Sequence, residues 1–150
     1  MKLNRSLRAL TAPLAWSCAA LGVACDSPTD PTPSVWEADL APTSPAGVAG
    51  SIAAATQAGR TEASILIENA EPATTYDWRI NRGTCEEEGT IAGGQAVYPE
   101  LTTDQNGSGT EETSFAELLQ DNGAYAARVL LPASGGGGTV VACGELERVR

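Results

Sequence analysis

The chain has no histidine among its 150 residues, and that absence bounds its chemistry. Without an imidazole there is no Ser-His-Asp triad, no Cys-His dyad and no histidine ligand for zinc or copper. The remaining groups that could do chemistry are few. Asp104-x-Asn106-Gly107 has the alternation of oxygen ligands around a glycine with which a calcium loop opens, but the carboxylates that would complete such a loop do not follow. It reads first as a glycine turn. Glu86, Glu87 and Glu88 could gather a divalent cation or face a basic partner, although consecutive loop carboxylates point apart and usually form a solvated rim. Together with Asp104 they make an acidic cation- or ligand-binding module the alternative reading. Ser134, before the glycine run at 135–138, lacks both a nucleophile elbow and a base, and the run lacks the Lys and Ser/Thr of a phosphate loop. Nineteen acids guarantee some paired carboxylates by chance, and a small domain leaves little room for a glycosidase cleft. No enzymatic activity and no cofactor are expected.

The N-terminus carries an address. Lys2, Arg5 and Arg8 precede a small-residue, apolar stretch that Pro13 interrupts, a secretory signal pattern too short to serve as a permanent span. Leu21-Gly22-Val23-Ala24-Cys25, followed by a Pro/Thr/Ser/Asp segment, resembles a bacterial lipoprotein cleavage box and its tether. The expected organisation is a signal at 1–24, a tether at 25–35 and a domain at 36–150, with Cys25 acylated as the only membrane attachment. Gly22 departs from the branched apolar residue usual three places before that cysteine. The alternative is ordinary cleavage near Ala20 or Ala24, giving a secreted or periplasmic protein. Loss of the leader leaves six basic residues against nineteen acids, a balance of −13. Such a charge argues against nucleic acid or an anionic membrane surface as partner, so an envelope or extracellular protein is expected.

The elements that must position any site are strands. Trp36, Ala38 and Leu40 alternate with Glu37 and Asp39; Ala63, Ile65 and Ile67 alternate with Ser64 and Leu66; Tyr76, Trp78 and Ile80 alternate with Asp77 and Arg79. Further strands are expected at 50–56, 96–101, 109–118, 124–131 and 139–147, with a loop at 82–94. One weak helix candidate covers 115–120. About eight short strands separated by Gly, Pro, Asn and Asp imply an all-β sandwich or Greek-key barrel. Cys85 and Cys143 are the thiols left in the domain once Cys18 and Cys25 are assigned to the leader and its anchor. A disulfide is expected in an oxidising compartment; a metal-binding or redox pair is the lesser alternative.

Three segments together resemble the copper/zinc superoxide dismutase superfamily. Trp78-Arg79-Ile80-Asn81-Arg82-Gly83-Thr84-Cys85 is similar to a family strand that reads W-H-I-H-x-G-T-C. Tyr98-Pro99-Glu100-Leu101 with the turn at 104–109 resembles the metal loop and its exit, and Val141-Ala142-Cys143-Gly144 resembles the closing strand. The resemblance implies an eight-stranded Greek-key β-sandwich or barrel with one intradomain disulfide. It also implies where metal ligands would stand, and there Arg79 and Asn81 replace both histidines of the first strand. The strand at Arg128 has no histidine, and Val140 occupies the position of the family's guiding arginine. Dismutase chemistry is therefore expected to be absent. If Arg79 and Arg128 lie on neighbouring strands, they form a basic spot paired with Asp77 or with the loop glutamates.

Overall fold

The computed structural model describes residues 32–45, 47–133 and 138–149. The signal, Cys25, most of the tether and Ser134 lie outside the described residues. Ten strands follow one another: β1 (Ser34–Pro42), β2 (Ala49–Gln57), β3 (Arg60–Glu68), β4 (Thr75–Gly83), β5 (Glu88–Ile91), β6 (Leu101–Thr102), β7 (Gly109–Phe115), β8 (Tyr125–Leu131), β9 (Thr139–Glu145) and β10 (Glu147–Arg148). Among the described residues there is no α-helix, and 115–120 does not form one; a single 3₁₀ turn spans Gln95–Val97.

All pairings are antiparallel, in the order β5-β4-β8-β9-β1-β2-β3-β7, with β10 added to β1 and β6 to β4. The sheet curls into a half-barrel whose inner faces share one core. In β3 the alternation is complete: Thr61, Ala63, Ile65 and Ile67 are buried, and the residues between them are exposed. Trp36, Leu40 and Ile52 from one half meet Trp78, Ile80 and Val129 from the other. Edge-on contacts between Trp36 and Tyr125 (5.7 Å) and between Trp78 and Tyr98 (5.1 Å) fill the ends. Each fully buried aliphatic or aromatic side chain of this kind contributes about 1.5–3 kcal/mol.

Three departures from the expected strands have local causes. The loop at 82–94 contains β5, which has one apolar residue and no alternation. It is held by its register on β4, where Asn81 faces Ile91 and Gly83 faces Glu88. The piece at 96–101 shrinks to β6, because the 3₁₀ turn and Pro99 occupy most of it. The last strand divides at Leu146, whose amide donates to Tyr125 O, so that β10 pairs with β1 by itself.

Two neighbouring strands break the two-faced pattern, β9 from Val141 to Gly144 and β8 over a longer run. β8 is buried from Tyr125 to Leu130 without interruption. Its inner residues lie in the core, and on its outer face the segment joining β4 to β5 lies over Arg128, which donates to the carbonyls of Thr84 and Cys85.

Candidate functional site

The site begins as one row across three strands. Arg79 on β4 stands opposite Arg128 on β8, which stands opposite Cys143 on β9. Because side chains alternate, Trp78 and Ile80 enter the core while Arg79 and Asn81 point the other way. Gly83 ends β4 with φ of +101°, and a Cβ there would lie 2.2 Å from Glu87 O. Only glycine lets the chain turn back over the row. The Cys85–Cys143 disulfide, with Cα atoms 5.9 Å apart, fastens the turned-back loop to β9.

Glu88 is the centre of the polar contacts. Arg79 Nη2 donates to Glu88 Oε1 at 2.7 Å, and Arg128 Nη1 lies 3.7 Å from Glu88 Oε2. Arg128 Nη2 also donates to the carbonyls of Thr84 (2.8 Å) and Cys85 (3.2 Å). Asn81 Nδ2 donates to Gly89 O at 3.0 Å and to Glu88 Oε1 at 3.4 Å. The arginine side chains are 13% and 6% exposed, against 42% for the glutamate. Glu88 thus caps one buried and one partly buried cation and itself faces water. The Nε of each arginine and Oδ1 of Asn81 are buried without a hydrogen-bond partner.

This arrangement brings Arg79, Asn81, Arg128 and Glu88 together, and the carboxylate comes from the loop rather than from Asp77. It has little capacity for a cation. Two guanidiniums offer only donors and positive charge, and Asn81 Oδ1 is the one unengaged oxygen among them. The copper and zinc that the resemblance implies do not fit this donor set.

The residues of the alternative cation module, Glu86, Glu87, Glu88 and Asp104, are not brought together. Glu86 and Glu87 are exposed, and Glu88 is turned to the arginines. Asp104 follows β6, which pairs with the first residues of β4, whereas Glu88 pairs with the last. At ~3.3 Å per residue the nine residues of β4 hold them roughly 25 Å apart. Asp104 instead organises its own turn: Oδ1 accepts the amides of Asn106 (2.8 Å) and Ser108 (3.0 Å). Those backbone bonds, with that of Gly107 and the Asn106 side chain, hold its carboxyl below the usual value of 3.8. Among the described residues no group of three or more His, Cys, Asp or Glu is placed to hold a metal ion.

One structural carboxylate had no sequence signal. Glu117 pairs with Arg82 and accepts the amide of Gly93 at 2.9 Å, tying the 115–120 stretch to the β5 hairpin. It lies in irregular chain, where spacing carries no information about partners. Neither a protein-family model nor a curated protein matches the chain.

Proposed function

We propose that the chain is a non-catalytic, exported domain of copper/zinc superoxide dismutase-like architecture. A lipid on Cys25 holds it at a bacterial cell envelope, where it acts by contact with another protein. The observation that carries this reading is the ion cluster. Arg79 and Asn81 occupy positions where the resemblance places histidine ligands, and with Arg128 they close around Glu88. The strand order adds support. β6 pairs with β4 and lies against β7, where a Cβ on Gly109 would meet Leu101 at 2.5 Å, and β8 returns to the other side of β4. A return of β8 to the side of β4 away from β6 is what a Greek-key reading of this half of the sheet requires, and it supports that reading.

The test uses the mature protein after incubation with copper and zinc. The expected result is no superoxide dismutation above free metal and no stoichiometric copper retained after desalting. Chelator-sensitive catalytic dismutation overturns the reading. For the anchor, Cys25→Ser should move the protein from the membrane fraction to the soluble one; an unchanged distribution removes the lipid.

A further inference from the structure

The outer face of β1, β2, β3 and β7 holds a trough of about 1070 Å³. A second hollow of about 610 Å³ continues it past Ala53, Ser64 and Glu112. Its cross-section follows from the register. Glu147 on β10 faces Glu37 on β1, Glu37 faces Ala53, Ala53 faces Ser64 and Ser64 faces Glu112 on β7. Small side chains along the middle leave the floor at backbone level, and carboxylates rise on both sides.

Two features of this face do not serve folding. Glu37 and Glu147 are direct cross-strand neighbours, an arrangement that destabilises a sheet. Among the described residues neither they nor Asp39 or Glu112 make an ion pair; the four ion pairs use Glu88, Glu117 and Asp121 instead. In addition, Leu66 and Val149 line the trough at 36% and 56% exposure, and they are two of three large apolar side chains exposed among the described residues. A local rule broken without a structural gain marks a surface kept for another purpose.

We infer that this trough binds an extended, basic polypeptide segment whose apolar side chains rest on Leu66 and Val149. The inference rests on the interaction role proposed above and gives its partner's chemistry. From β10 through β1, β2 and β3 to β7, five strands at ~4.8 Å make the face about 19 Å wide, which matches an extended segment of about six residues. Positive side chains of that segment neutralise the opposed rims, and the small floor admits its backbone.

The test is fluorescence anisotropy at low salt on the mature protein, with a labelled peptide of about six residues alternating Arg and Val. Glu37→Gln with Glu112→Gln should weaken binding about tenfold. Ala53→Leu, which fills the floor without changing charge, should weaken it as strongly. Glu86→Gln with Glu87→Gln, which removes the same charge elsewhere, should leave it unchanged. The inference fails if the peptide does not bind, if a Glu-Val peptide binds equally, or if the control pair weakens binding as much as the rim pair. Such a failure removes the trough alone, because the copper assay tests the non-catalytic reading separately.

Discussion

Arg79 and Arg128 face each other directly across β4 and β8, and Glu88 is the carboxylate that both reach, at 2.7 and 3.7 Å. Two fixed positive charges at opposed positions repel, so the hairpin that brings Glu88 over them is part of what allows the pair. Removing that carboxylate as Glu88→Gln should destabilise the domain by about 1–2 kcal/mol. This is below the loss for a fully buried pair, because water already screens a glutamate that is 42% exposed. In thermal unfolding this is a fall in Tm of about 5 °C. An unchanged Tm would show that the cluster contributes nothing to stability.

The disulfide closes a separation of 58 residues, for which chain entropy gives about 4 kcal/mol. Its loss should be felt most at the row it covers, since Arg128 donates to the carbonyls of both Thr84 and Cys85. The double variant Cys85→Ser, Cys143→Ser is expected to lower the urea midpoint by that amount divided by the m value. Hydrogen exchange should accelerate at 84–88 before it does in β2 or β3. Uniform acceleration across all strands would contradict the local role of the staple.

Much of the scaffold was legible because burial in β1, β3 and β4 has a period of two, and Trp36, Ile65 and Trp78 mark the inner face by size alone. The pairing of Cys85 with Cys143 was legible by count. What escaped was non-local. β5 and β10 exist through their partners rather than their own alternation. The choice of Glu88 over Asp77 depends on the turn at Gly83, which brings the loop back over Arg128. The trough was illegible for a related reason: Glu37, Ala53, Ser64 and Glu112 are unremarkable along the chain and form one row through three separate registers.

Gly144 is the close approach where β9 meets β1. A Cβ there would lie 2.3 Å from Asp39 O, so the β1–β9 contact at Ala41 and Cys143 has no room for a side chain. Gly144→Ala should destabilise by about 2–3 kcal/mol through overpacking. Equilibrium urea unfolding measures it, and a cost below that of a surface substitution would mean that the two strands separate without penalty.

Tyr98 is buried between Trp78 and Phe115, and its hydroxyl donates to Ala92 O at 2.8 Å. Burial raises the phenol well above its ordinary value of 10.0. The neutral form is therefore the one the fold prefers: this contribution is complete below pH 10.0 and declines as pH rises toward the folded value. Tyr98→Phe should cost about 1 kcal/mol at neutral pH for the lost hydrogen bond. It should also flatten the alkaline decline in stability. Phenolate absorbance from Tyr98 appearing before the unfolding transition would contradict its burial.

Asp104 supplies the opposite case at acid pH. Its carboxyl accepts the amides of Ser108 and Asn106, which favour the ionised form and hold the folded value below 3.8. A depressed folded value means that the stabilisation is complete above 3.8 and is lost as pH falls through the folded value. The Asn106 and Ser108 amide resonances should thus hold steady down to that pH and then move together along one titration curve. In Asp104→Asn that curve should be absent, because the amide oxygen accepts without titrating. If the two amides titrated at the unshifted value, the carboxylate would not be organising the turn between β6 and β7.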